Sequence, residues 1–126
     1  MNNDSLIYKI RKVSFSYKLG SHLIEAIKEI SLDIPKGKLI TFSGPSGSGK
    51  STLLHILGLI EPIQGGQVQF NGEDVSLLKE SQLNSLRKFQ IGFIFQQFHL
   101  IPVLSGEENV EYFLERQGLE MSLIKS

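Results

Sequence analysis

The run Gly44-Pro45-Ser46-Gly47-Ser48-Gly49-Lys50-Ser51 sets a glycine, after four intervening residues, ahead of a second glycine, a lysine and a hydroxyl side chain. That spacing is the phosphate-binding loop G-x-x-x-x-G-K-[ST]. Each residue type has a chemical reason. Gly44, Gly47 and Gly49 admit backbone dihedrals that a side chain blocks. Successive N–H groups, those of Ser46 and Ser48 included, then turn inward as an anion nest at the positive end of the next helix. Lys50 brings an ammonium to the β- and γ-phosphates, Ser51 offers its hydroxyl to Mg²⁺, and Thr52 reaches the α-phosphate. The ligand class is therefore a nucleoside triphosphate with magnesium. The bland reading is a glycine-rich turn without a ligand; a chance match in a chain this size has odds of roughly four in a thousand from average residue usage.

Such a loop needs a strand before it and a helix after it. Residues 39–43, Leu-Ile-Thr-Phe-Ser, are short, β-prone and nearly all apolar, as a strand buried on both faces is. Residues 50–59 have helical spacing. Upstream, residues 6–18 alternate apolar and polar in places and predict one or two strands. Residues 18–22 predict a turn and residues 26–34 another strand, closed by Pro35-Lys36-Gly37. Downstream, Gly65-Gly66 leads into a strand at 67–70 that ends in Asn71-Gly72. Residues 80–88 predict a helix and 91–95 a second buried strand. After a loop at 102–106, residues 107–117 predict a helix with Val110, Phe113 and Leu114 on one side.

The bulk numbers fit one globular domain: 126 residues, 40% hydrophobic, 21% charged. Thirteen basic residues balance thirteen acidic ones, so no global field draws nucleic acid or anionic lipid. The absence of cysteine excludes disulfides, thiol catalysis and a cysteine-based zinc site. The start, Met1-Asn2-Asn3-Asp4, lacks the features of a signal peptide. The expected location is the cytoplasm, with any membrane contact made through a partner.

Beyond the loop itself, Ser43 to Leu54 closely resembles the phosphate loop of ABC-transporter ATPases. Ile91-Gly92-Phe93-Ile94-Phe95-Gln96-Gln97-Phe98-His99-Leu100-Ile101-Pro102 resembles their Q-loop, and Glu108-Asn109-Val110 falls where the family carries Glu-Asn-Val. The branch it is most similar to serves lipoprotein release, macrolide export and cell division. The resemblance runs from about residue 6 to about residue 118. It implies an α/β phosphate-loop NTPase fold with an N-terminal antiparallel β subdomain, and ATP with Mg²⁺ as ligands. It implies a transmembrane transporter subunit and a second ATP-binding subunit as partners, at the inner face of the cell membrane.

The resemblance also gives roles to two residues. As a residue alone, Tyr17 reads as an aromatic packed in a strand; the resemblance makes it the platform that stacks on adenine. Gln96 alone reads as a solvated polar residue at a strand end; the resemblance makes its amide oxygen a Mg²⁺ ligand beside Ser51. The segment from Phe98 to Glu108 is implied to pack on the membrane subunit, and Phe98, Leu100, Ile101 and Val103 suit either such a patch or a core. One departure stands out. Where the family often has Asp-x-Pro-Thr-x-Gly, this chain reads Glu61-Pro62-Ile63-Gln64-Gly65-Gly66, a change expected to alter a surface turn and not chemistry.

A complete ABC ATPase also has a Leu-Ser-Gly-Gly-Gln signature, an apolar strand ending in Asp-Glu and a switch histidine, and these 126 residues contain none of them. Leu104-Ser105-Gly106-Glu107 echoes the signature in the wrong place, and Leu57-Gly58-Leu59-Ile60-Glu61 echoes the apolar strand but continues the loop helix. His22, His55 and His99 do not stand at the switch position. The expectation is the N-terminal portion of one ATP-binding domain, residues 1–126, ending within its helical subdomain. Residues 39–42 then lack flanking strands, an apolar edge prone to aggregation. Alternatives are a module that binds ATP without hydrolysing it, or that poisons a full-length partner, and a small kinase or GTPase. The last lacks its marks: there is no Asn-Lys-x-Asp, and Arg11, Arg87 and Arg116 are scattered.

Overall fold

In the computed structural model, which describes residues 5–118, the chain forms two compact units that meet after Asn84. The first unit is built on a β hairpin. Strand β1 (Leu6–Leu19) turns at Gly20, φ +61°, into strand β2 (His22–Pro35), and the two pair along their whole length. The expected single or double strand at 6–18 is one strand, and β2 begins four residues earlier than its apolar pattern suggests. Strand β3 (Gly65–Phe70) pairs with the other edge of β1, and the short β4 (Glu73–Asp74) pairs with β3. The sheet order is β2-β1-β3-β4, and every strand pair among the described residues is antiparallel. Asn71 and Gly72 link β3 to β4 with φ of +50° and +89°, the two-residue turn whose twist suits a hairpin.

Alternation along β1 changes phase midway, and the cause is visible. Leu6, Tyr8 and Ile10 face the core, then Val13 and Phe15 do. Lys12 supplies the extra residue of a bulge, at φ +49°, and Glu29 supplies a compensating one on β2 at φ +45°. A bulge leaves backbone groups unpaired by the ladder, and two serines accept them. The Lys12 N–H donates to Ser31 Oγ at 3.0 Å and the Glu29 N–H to Ser14 Oγ at 2.9 Å. Gly66 is held to its type by the same bulge, since a Cβ there would lie 2.3–2.4 Å from the carbonyl oxygens of Lys12 and Arg11.

Helix α1 (Lys50–Leu57) presents Thr52, Leu53, Ile56 and Leu57 to the interior, where they join Ile10, Val13, Phe15, Ile27, Val68, Phe70 and Val75. Full burial of each larger aliphatic side chain contributes about 1.5–3 kcal/mol. The end of α1 is fastened to the sheet, because the Tyr8 hydroxyl donates to the Leu57 carbonyl. Burial pushes that phenol up to about 12, so it stays a donor at any physiological pH. The helix closes with two reversed bonds, Leu59 N–H to Ile56 O and Ile60 N–H to His55 O, the Schellman arrangement. Leu59 takes the left-handed position, φ +56°, that glycine usually fills.

Helix α2 (Glu80–Gln90) contains the boundary between the units, and helix α3 (Gly106–Arg116) lies in the second. Two expectations need correction. Residues 39–43 form no strand and Leu39 is exposed; residues 91–95 form none either, and Ile94 is fully exposed. Both segments have strand-like composition, but a strand is stable only when a neighbour takes up its N–H and C=O groups, and no described strand pairs with either. The apolar side expected for α3 is also outward: Val110 and Phe113 are exposed, and Asn109 is the buried residue of that helix.

Candidate functional site

The residues between β2 and α1 make a loop whose conformation depends on glycine at two places. Gly47 and Gly49 have φ of +79° and +83°, values that cost a residue with a side chain about 1–2 kcal/mol. Gly49 carries a second constraint. A Cβ there would stand 2.4 Å from the carbonyl oxygen of Ala26 on β2, so the sheet and the helix start approach each other too closely for any other residue. Gly44, at φ +156°, is crowded more mildly, with a Cβ meeting Ser48 Oγ at 3.0 Å.

That close approach leaves α1 with an open start. Gly49 is its N-cap, has no side chain to accept a bond, and places no acidic residue in the first turn behind it. A helix leaves its first N–H groups without an intrahelical acceptor; here the first carbonyl to take a helical bond is that of Gly49, from Leu53 at 2.8 Å. The N–H groups of Lys50, Ser51 and Thr52 therefore begin a positive helix end with no side-chain cap and no acidic residue in its first turn. Most helices fill this position with Ser, Thr, Asp or Asn. This one presents donors.

Lys50 lies across the same loop. Its Nζ donates to Gly44 O at 2.9 Å, to Pro45 O at 2.6 Å and to Ser48 Oγ at 3.2 Å. An ammonium has three donors, and the loop accepts all three, which holds the positive charge over the curve of the backbone. The Ser48 N–H closes the turn on Pro45 O at 3.3 Å. Ser46 and Ser51 are exposed. Donors from the backbone, a lysine charge and an exposed hydroxyl form a set suited to a polyphosphate carrying a hard cation.

Tyr17 is brought to this loop by the end of β1. It is only partly exposed, its ring meets Phe15 edge-on at 4.9 Å, and its hydroxyl lies 3.3 Å from Thr52 Oγ1. Thr52 itself is buried. An aromatic face and the phosphate-loop helix are thus linked through one hydroxyl pair. Gln96 belongs to the second unit, in a bend that follows the exposed residues 91–95. The first unit gathers Tyr17 and residues 44–52; Gln96 is not part of that unit.

Three residues that sequence reasoning left without a structural role turn out to organise the segment after Gln96. Asn109 accepts the Ile101 N–H at 2.8 Å and donates from Nδ2 to the carbonyls of Ser105 at 2.8 Å, Leu104 at 3.1 Å and Ile101 at 3.3 Å. Ser105 and Glu108 form a capping box, with the Ser105 N–H on Glu108 Oε2 at 2.7 Å and the Glu108 N–H on Ser105 Oγ at 3.2 Å. The Ser105 N–H first, and then the Ser105 hydroxyl, hold the Glu108 carboxyl below the usual range. The signal for the box was available as S-x-x-E in Ser105-Gly106-Glu107-Glu108, which also explains the false echo of a signature there. In the first unit Gln64 also gains a role: its amide grips the backbone of Ser16, where the sequence suggested only a surface turn.

Comparison with known proteins identifies the family. The sequence pattern of the ABC transporter family matches residues 27–125. An uncharacterised ABC transporter ATP-binding protein, MJ0796 of Methanocaldococcus jannaschii, is 42% identical over 103 residues, 82% of this chain and 44% of that protein. The ABC transporter ATP-binding protein YknY of Bacillus subtilis is 41% identical over 111 residues, 88% of this chain and 48% of that protein. The macrolide export ATP-binding/permease protein MacB of Shigella sonnei is 40% identical over 114 residues, 90% of this chain but 18% of that protein. The solved dimeric structure of MJ0796 superposes with a TM-score of 0.80 at 40% identity, over 87% of this chain and 47% of that one. A post-hydrolysis structure of MJ0796 bound to ADP and Pi matches with the same score. The chain spans less than half the length of these relatives. Its phosphate loop, its antiparallel N-terminal sheet and these likenesses agree, and the chain belongs to the ABC transporter family of ATP-binding proteins.

Proposed function

We propose that this chain is the nucleotide-binding part of an ABC transporter ATP-binding subunit and that its own activity is to bind ATP with Mg²⁺. The observation that carries this reading is the uncapped start of α1, with Lys50 folded over the loop beside it. The polyphosphate lies along the N–H groups from Gly44 to Thr52. Lys50 gives up its loop carbonyls to the β- and γ-phosphates, and Thr52 faces the α-phosphate. Tyr17 stacks on the adenine; a base–aromatic stack contributes around 1–3 kcal/mol by analogy with nucleic-acid binders. Ser51 would hold Mg²⁺, which when bound would neutralise phosphate charge, and Gln96 is the further Mg²⁺ ligand that the resemblance implies.

In the assembled protein the partners are a transmembrane transporter subunit and a second ATP-binding subunit, at the inner face of the membrane. Two facts support that part: MacB is named as an ATP-binding/permease protein, and MJ0796 was solved as a dimer. No helix among the described residues is long and apolar enough to cross a membrane. The exposed Phe98, Leu100 and Val103 suit a docking face for the membrane subunit.

Hydrolysis is a separate matter. No signature sequence or Asp-Glu strand occurs among these 126 residues, and a general base of the kind that strand supplies contributes about 10²–10⁴ in rate. We therefore expect the chain alone to bind ATP and to turn it over negligibly.

Calorimetric titration of the chain with ATP and Mg²⁺ tests the main reading. Charge-assisted contacts contribute about 1.5–3 kcal/mol, so Lys50→Ala is expected to weaken binding roughly 10- to 150-fold. Unchanged affinity in that variant overturns the assignment.

A further inference from the structure

Backbone pairing between β1 and β3 ends at Ser14↔Gly65, yet the contact continues for one more step. The Ser16 N–H donates to Gln64 Oε1 at 2.9 Å, and Gln64 Nε2 donates back to Ser16 O at 3.0 Å. A primary amide offers one acceptor and a donor in one plane, as a peptide group does. The Gln64 side chain thus replaces the missing rung of the ladder. The residue it holds immediately precedes Tyr17, on the side of β1 that has no further strand to pair with. On the other side β2 pairs Ser16 with Glu25 and Tyr17 with Ile24, after a register irregularity between Phe15 and Ser16. Backbone pairing thus holds Ser16 from the β2 edge only, and the Gln64 amide supplies the hold on the opposite edge.

We propose that Gln64 is a positioning residue for Tyr17. By clamping the Ser16 backbone it fixes where the Tyr17 ring stands, while the hydroxyl of that ring meets Thr52 in the phosphate-loop helix. The distance between the base platform and the phosphate cradle is then set by a side chain that touches neither ligand group. This inference rests on the reading of Tyr17 as the adenine platform, and it adds a determinant of nucleoside recognition within the span from Glu61 to Gly66.

The test separates the base from the phosphates. The full 126-residue chain is titrated with Mg²⁺-ATP and with Mg²⁺-triphosphate, the inorganic polyphosphate, and the ratio of the two affinities is the readout. Gln64→Ala is expected to lower that ratio about 2- to 10-fold, the range of one neutral hydrogen-bonding contact, and to leave triphosphate affinity within about twofold. Gln64→Glu keeps the acceptor for Ser16 N–H but, ionised, loses the donor, and is expected to fall between. This second variant is nearly isosteric, so it reports even if the alanine variant folds poorly. Hydrogen exchange at the Ser16 amide should accelerate in Gln64→Ala. An unchanged ratio in both variants overturns the proposal, as does a parallel loss of both affinities, which marks Gln64 as structural only. Tyr17→Ala distinguishes the deeper failure: if it leaves the ratio unchanged, the platform reading falls and the role of Gln64 with it.

Discussion

In the first unit Ile10, Val13, Ile56 and Val68 have no exposed surface, whereas in the second Ile94, Phe98 and Val103 stand almost wholly in solvent. Composition does not separate these segments, since residues 91–95 are as apolar and β-prone as residues 6–10. Neighbours do. β1 has β2 on one edge and β3 on the other, and its inward side chains close on α1. Residues 91–95 have no strand beside them among the described residues, and the same holds for residues 39–43 inside the first unit. The second unit takes its order from polar closure instead. Its best-defined feature is the loop from Ile101 to Ser105, laced to α3 by Asn109 and by the capping box.

This contrast is broken most directly by paired truncations. Ile56→Ala removes buried methylenes from a filled core and is expected to destabilise the first unit by about 2–5 kcal/mol. Ile94→Ala removes a side chain already in water and should change stability by no more than about 0.5 kcal/mol. Denaturant unfolding of both variants checks the pair. Equal costs would mean that Ile94 is packed in solution and that the two units do not differ as described.

The same contrast explains what the sequence could reveal. The phosphate loop, the Asn71-Gly72 turn, the hairpin turn at Gly20 and the three helices are legible, because each follows from residue types that act within a few positions. The Ser105–Glu108 box was legible in principle. The bulges at Lys12 and Glu29 were not: their partners, Ser31 and Ser14, lie 19 and 15 residues away, and no local pattern announces them. Gln64 escaped for the same reason, at a separation of 48 residues. The expected strands at 39–43 and 91–95 failed in the opposite direction. Local propensity was read correctly there, but pairing is a property of two segments, and only one is present among the described residues. For the candidate site, the phosphate-loop motif is legible from residue types and spacing, while the link from Tyr17 to Thr52 needed the fold.

A smaller effect sharpens the description of the second unit. Asn109→Ala removes the acceptor of the Ile101 N–H and the donor to three carbonyls. A buried backbone group left without its partner costs about 1–3 kcal/mol. The loss should be local: amide exchange at Ile101 and along 102–105 accelerates, while amides of β1 and β3 keep their protection. Uniform acceleration through the sheet would show that the loop and the first unit unfold together, and would erase the division after Asn84.

The smallest effect concerns acid. The Glu108 carboxyl is held below its ordinary value of 4.5, first by the backbone N–H of Ser105 and then by its hydroxyl. A carboxyl whose folded value is depressed contributes stability above its unfolded value and loses it as pH falls through the folded one. The start of α3 should therefore be fully capped at neutral pH and fray progressively below about pH 4.5, since a protonated carboxyl accepts the Ser105 N–H less strongly. Glu108 is solvent-exposed, so water competes for the same bond and the change is confined to the first turn. Exchange at the Ser105 and Glu108 amides, followed between pH 6 and pH 3 after correction for intrinsic rates, measures it. Glu108→Gln retains an acceptor but no titration, and should remove the pH dependence while leaving part of the protection. Acid loosening that persists in that variant would have to come from elsewhere. Asp33 of the first unit is another exposed carboxyl held low, first by its hydrogen bonds to Arg11 and then by the charges of Arg11 and Lys9; but it ties β2 to β1 across an already paired sheet. Its protonation should leave the neighbouring amides protected, because the ladder continues to hold them. Acid thus separates the two modes of order: where backbone order follows from a paired sheet and a packed core, losing one carboxylate has little effect, and where it follows from a few side-chain caps, the same loss opens a helix end.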